Sequence, residues 1–295
     1  MRNHMQFVYH LGVHCTDEDR LVTCLSGNRA LLAADGVVVP APERYRPVLR
    51  ETMTTLRGQP APPEMQQTVL DAVMDEDGAR RVIFSNESFL SAPARALARG
   101  TLYAQADQNT HWLRQIFPDA GCEFFIGLRN PATFLPALFA RLNAPSFDAF
   151  LSDVNLPELQ WSDLIARIQS ANPGCALTVW CNEDTPLIWP DILRRMADQA
   201  PDVALAGVHD FLAEIMTEAG LQRMESYLES HPPANEEQRR RVVAAFLDKF
   251  AIKSEIEMEL DVPGWTEDLV EDLTERYEED IFAIERMPDV EVIKP

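Results

Sequence analysis

Short apolar runs alternate with longer amphipathic stretches along most of the chain. The runs at 7–13, 81–85, 122–128 and 176–181 read as strands buried in a parallel sheet. Between them, 20–34 places Leu21, Cys24, Leu25 and Leu32 on one helical face, 109–117 offers Trp112, Leu113 and Ile116, and 133–142 offers Phe134, Leu138 and Leu142. Strands alternating with helices predict a three-layer α/β fold, its mainly parallel sheet covered on both faces. From His209 onward the pattern turns helical, with helices expected at 211–229, 236–250 and 266–286 and a last short strand at 290–293. Residues 41–63, rich in Pro and Arg, are expected to be an irregular excursion. The expectation is one domain over 1–295, with an α/β core over 1–208 and a mostly helical part of the same domain, an acidic cap, over 209–295.

Composition and charge narrow the function. A hydrophobic content of 46% supports a packed core. With 26 basic residues against 47 acidic ones the formal charge is −21, which repels phosphate backbones and anionic headgroups. Neither nucleic acid nor a membrane is an expected partner. Residues 255–291 carry fifteen acidic side chains against Arg276 and Arg286. Leu269, Val270, Leu273, Tyr277, Ile281 and Ile284 keep an apolar stripe through this stretch, so it reads as a packed helix with an acidic outer face. That face is either solvated or a docking surface for a basic protein partner.

Only Lys249, Lys253 and Lys294 carry an ammonium group. A phosphate-loop lysine or a Schiff-base lysine is therefore excluded from the first 248 residues. Cys15, Cys24, Cys122, Cys175 and Cys181 show no CxxC and no Cys/His zinc spacing, and read as reduced thiols. The sequence around Met1 to Val8 lacks the apolar segment of a signal peptide, and no apolar run approaches bilayer length. A cytoplasmic location is the expectation.

Ligands in open α/β sheets sit beyond the carboxyl ends of the strands, so the segments following each strand carry the candidate chemistry. The first reads Phe7-Val8-Tyr9-His10-Leu11-Gly12-Val13-His14-Cys15-Thr16 and leads into a helix. It resembles the opening of bacterial proteins of the sulfotransferase family that use 3′-phosphoadenosine 5′-phosphosulfate (PAPS), which read strand, His-Ile-Gly-x-x-Lys-Thr-Gly-Thr, helix. Further segments are similar in the same order: Asn28 to Leu32 with Asp35-Gly36-Val37-Val38-Val39-Pro40, then Ile83 to Phe89, then Phe124 to Pro131, ending Leu128-Arg129-Asn130-Pro131. The resemblance implies a P-loop-like fold of the sulfotransferase type. It also implies PAPS as cofactor, held by the loop at Gly12, His14, Cys15 and Thr16 and by Arg129 on the 3′-phosphate. Glu87 would be the base that deprotonates a hydroxyl on a small-molecule or carbohydrate acceptor.

The same alignment places Cys15 at the family's phosphosulfate lysine and Asp17 at its glycine, with Glu18 and Asp19 following. At about 4 Å and an effective dielectric of 20, each like-charge contact with a polyanion costs on the order of 4 kcal/mol, unless the side chains turn away. Arg20 is a candidate for partial compensation. Ala137 replaces a serine that usually shares the 3′-phosphate. Two functions are therefore open: sulfuryl transfer, or binding by a relative that has kept the fold and lost the cofactor loop. Metal ligation by His10, His14 and Asp17 lacks a helical i, i+4 face. Glu183 and Asp184 read as a cap for the helix at Thr185-Pro186 or as ligand-side groups. No Gly-x-Ser-x-Gly elbow is present.

Overall fold

The computed structural model describes residues 5–75, 78–142, 144–201, 203–256 and 262–295. Residues 1–4 and 257–261, which entered the readings of the N-terminus and of the acidic stretch, lie outside these. Six strands form one sheet: β1 (Gln6–His10), β2 (Val37–Val38), β3 (Arg81–Ser85), β4 (Gly121–Leu128), β5 (Ala176–Cys181) and β6 (Val290–Ile293). Their order is β2-β3-β1-β4-β5-β6, and every neighbouring pair is parallel. Successive residues of a strand face opposite ways, so each strand feeds two cores. Phe7, Tyr9, Phe84, Phe124, Ile126, Leu177 and Val179 belong to one, and Val8, Ile83, Phe125 and Trp180 to the other.

The helices are α1 (Arg20–Gly27), α2 (Arg29–Ala34), α3 (Pro42–Leu56), α4 (Pro63–Val73), α5 (Ala106–Arg114), α6 (Pro131–Leu142), α7 (Phe147–Phe150), α8 (Trp161–Ala171), α9 (Thr185–Ala197), α10 (Asp210–Ile215), α11 (Glu218–Ser230), α12 (Glu236–Phe250), α13 (Lys253–Ile256) and α14 (Glu267–Ile284). Buried residues of α1, α2 and α9 cover the Val8 face, and those of α3, α4, α5, α6, α8 and α14 cover the Phe7 face. None of the described helices is long and apolar enough to cross a membrane.

Four expectations need correction. Residues 41–63 are not irregular but largely α3, because Pro42 occupies the first turn, where its missing N–H costs nothing, and Tyr45, Leu49 and Thr52 bury one stripe. The helix expected over 20–34 breaks at Asn28, whose amide donates to the Cys24 and Ala206 carbonyls at 2.9 Å. The helix expected over 211–229 breaks before Thr217, whose N–H bonds to the Phe250 carbonyl and whose hydroxyl caps α11. Finally, 209–295 is not one cap. Leu212, Ile215, Met216, Met224 and Val243 form a separate small core within it, whereas β6 extends the sheet and α14 buries Leu273, Tyr277 and Ile284 in the main core.

α14 also sends one acid inward. Asp280 is buried, and its Oδ2 accepts from the backbone N–H of Trp161 at 2.6 Å and of Ser162 at 3.1 Å. A carboxylate there satisfies two of the donors that open α8 and complements the helix dipole. Asp280→Ala is expected to lower the unfolding free energy in urea by about 2 kcal/mol; a loss under about 0.5 kcal/mol would show that the cap contributes nothing.

Candidate functional site

The connection after β1 crosses to one face of the sheet, and those after β3 and β4 cross to the other. This reversal opens a crevice beyond the carboxyl ends of the three central strands. The β1 loop is pressed into it. Gly12 has φ +67°, and a Cβ there would lie 2.6 Å from the Glu87 Cα, so only glycine fits. β1 therefore ends at His10, not at Val13 as its apolar run suggested. Cys15, Glu18 and Asp19 are left-handed as well, with φ of 62°, 49° and 68°. For non-glycine residues each costs roughly 1 kcal/mol or more, a concentration of strain typical of functional loops.

Two of the loop's backbone donors are engaged by the protein itself. The Leu11 N–H bonds to the Phe125 carbonyl at 2.8 Å, and the His14 N–H to the Tyr103 hydroxyl at 3.0 Å. The Tyr103 hydroxyl is also 2.9 Å from His14 Nδ1. At the start of α1, Asp17 Oδ1 accepts the Leu21 N–H at 2.8 Å. Burial pushes the Asp17 carboxyl up to about 7, against the lowering influence of that hydrogen bond. The side chain thus fills the place at a helix N-terminus where a ligand's anion would bind.

The other two loop carboxylates turn elsewhere. Asp19 makes a two-pronged pair with Arg46 at 2.5 and 3.0 Å. Glu18 is exposed, 3.7 Å from Arg20. Arg20 reaches Glu214 on α10 at 2.7 Å and lines a smaller hollow beside Cys15 and Arg129, not the main cleft.

What remains is a cleft of about 760 Å³ lined by Arg46, Arg50, Arg129 and Arg141, with Glu18, Asp19 and Glu87 between them. Arginines outnumber carboxylates here in a chain whose formal charge is −21. Arg141 on α6 grips both oxygens of Glu87, one at 2.8 Å, and that pairing raises its pKa. Arg129 donates to the Cys15 carbonyl, and to the Thr133 hydroxyl at 3.1 Å. Among the described residues no carboxylate forms an ion pair with Arg129 or with the exposed Arg50. Burial lowers the pKa of Arg129, which marks a charge held with little compensation. Beyond Cys15, Glu18 and Arg129 lies a second hollow of about 430 Å³, lined also by Thr16, Glu183, Glu214 and Glu255.

Of the residues singled out in the sequence, Cys15, Glu87 and Arg129 meet around the cleft, and Gly12 sets the approach of its walls. His14 is corrected: it is fully buried on Tyr103 and lines neither hollow. Thr16 bonds to the Val13 carbonyl at 2.5 Å and edges only the second hollow. Ala137 does line the cleft. Glu183 is not a cap for α9; its oxygens accept from the Asn130 N–H at 2.8 Å and the Tyr277 hydroxyl at 3.1 Å, tying β4, β5 and α14 together. His10 Nδ1 lies 2.8 Å from the Ser85 hydroxyl and 3.9 Å from Asp17, and no group of three metal-binding side chains forms among the described residues. Arg46, Arg50 and Arg141 escaped the sequence reading. The signal for the first two was their i, i+4 spacing, obscured by the prolines that made 41–63 look irregular.

The fold and cleft define an all-parallel α/β protein with an arginine-lined crevice where the chain reverses direction across its sheet. No protein-family model matches the chain, and no curated protein matches it in sequence.

The buried groups under the cleft set a pH dependence. Burial holds His10 and His14 neutral down to about 4, below the ordinary 6.5, and holds Asp17 protonated up to about 7, above the ordinary 3.8. Between 4 and 6.5 the unfolded chain binds two more protons at the histidines and one fewer at the aspartate, so stability rises with pH. Above 6.5 only Asp17 still titrates, and stability falls as pH passes through about 7. Asp17→Asn removes that falling limb. Relative to the native chain it should gain about 2 kcal/mol of unfolding free energy in urea between about pH 5 and about pH 8; a difference independent of pH would contradict the assignment.

Proposed function

We propose that this chain is a sulfotransferase-type α/β protein that binds a phosphate- or sulfate-bearing small molecule through arginine side chains and does not transfer a sulfuryl group. The observation that carries the reading is the Asp17 carboxyl on the Leu21 N–H, which fills the loop–helix junction where the family resemblance would put the phosphosulfate. The resembling segments around 10–16, 83–89 and 124–131 all converge on one end of the sheet, which supports the type. Glu87, the base on the transferase reading, has both oxygens engaged by Arg141, which favours charge pairing over proton abstraction. Anion binding then rests on Arg50 and Arg129, the two arginines of the cleft that form no ion pair among the described residues.

Isothermal titration with PAPS and with adenosine 3′,5′-bisphosphate tests this. The two nucleotides should bind with affinities within about threefold of each other, because the Asp17 carboxyl already fills the junction that would reward the sulfuryl end. Arg50→Ala, at an exposed position, should weaken both by about tenfold. Cys15→Lys combined with Asp17→Gly should create a preference for PAPS of at least about tenfold. A native chain that already prefers PAPS by that margin, or that moves labelled sulfate to a phenol acceptor, contradicts the reading.

A further inference from the structure

At the opposite end of the sheet, Cys122 in β4 and Cys175 just before β5 stand one residue ahead of the first registered pair, Glu123 with Ala176. Neighbouring strands lie about 4.8 Å apart, inside the Cα separation of roughly 4.4–6.8 Å that a disulfide spans. Matching positions on parallel strands point to the same face, and both residues belong to the core that holds Phe7 and Leu177. Cys122 is flanked by Phe7 of β1 on its other side, so the only open direction across the sheet leads to Cys175. The two thiols are close enough for each to shift the other's pKa.

The surroundings favour reaction at Cys175. Arg114 closes α5, is anchored to the Pro173 carbonyl at 3.0 Å, and places its charge beside both sulfurs. The neighbouring Cys122 thiol, with Arg114 assisting, holds the Cys175 thiol below its ordinary value, while burial pushes Cys122 up. Cys15, Cys24 and Cys181 are pushed up by burial, and no thiol interacts with them among the described residues. All five cysteines are free.

We propose that Cys122 and Cys175 are a redox-active dithiol that hydrogen peroxide closes to a disulfide between β4 and β5, independently of binding at the other end of the sheet. The Cys175 thiolate attacks the peroxide O–O bond, becoming a sulfenic acid and releasing hydroxide, which takes up the proton that Cys175 had lost. The Cys122 sulfur then forms the S–S bond, and the sulfenyl oxygen leaves as water with the Cys122 proton. Two thiols lose two electrons, and one peroxide becomes two waters.

The test is thiol counting on the full chain after peroxide treatment and unfolding, with peptide mapping under non-reducing conditions. Reactive thiols should fall from five to three, the linked peptides should contain Cys122 and Cys175, and dithiothreitol should restore the count. Cys15→Ser should still lose two thiols, while Cys175→Ser should leave Cys122 unlinked. An unchanged count in the native chain, a disulfide between other cysteines, or loss of both thiols without their linkage overturns the proposal.

Discussion

One carboxyl group decides what the crevice can hold. The N-terminus of α1 presents unpaired amides and the positive end of a helix dipole directly after the central strand of a parallel sheet, the natural seat for an anion in this architecture. Asp17 takes that seat from within the chain, on the Leu21 N–H. The His14 N–H is likewise taken by Tyr103, which removes one more donor from the loop. The loop's strained backbone at Cys15, Glu18 and Asp19 survives because these internal bonds and the close fit of Gly12 on Glu87 fix it in place.

The same constraint explains the arginines. With the amide seat filled, positive potential in the crevice must come from side chains, and α3 and α6 supply it on two flanks. Arg46 neutralises Asp19 and Arg141 neutralises Glu87, which leaves Arg50 and Arg129 without an ion pair among the described residues. A cleft with this local balance inside a chain of charge −21 is a focused electropositive patch on an acidic molecule. Much of the acidic excess lies on α14, where Asp280 has turned inward as a helix cap.

Much of the architecture was legible in hydrophobic pattern. β3, β5, α12 and β6 fall where the sequence placed them, because short apolar runs and an amphipathic helix bounded by Asn235 carry their own limits. Helix breaks at Asn28 and before Thr217 were hidden, since each depends on a hydrogen bond to a distant residue, Ala206 in one case and Phe250 in the other. The site was half legible. Cys15, Glu87 and Arg129 follow strands and so land at the crevice by topology alone, whereas Arg46, Arg50 and Arg141 arrive on helix faces whose direction only packing determines. The fate of the Asp-Glu-Asp run was invisible in sequence, because whether a carboxylate repels a ligand or caps a helix turns on a single side-chain orientation.

The central claim is that anions meet arginine side chains here and not the α1 amides. Backbone and arginine-side-chain ¹⁵N spectra recorded while adenosine 3′,5′-bisphosphate is added test it most directly. The Nε signals of Arg50 and Arg129 should shift with saturation while the Leu21 amide stays fixed. A Leu21 amide that moves with the ligand, with the arginine signals unchanged, would contradict it.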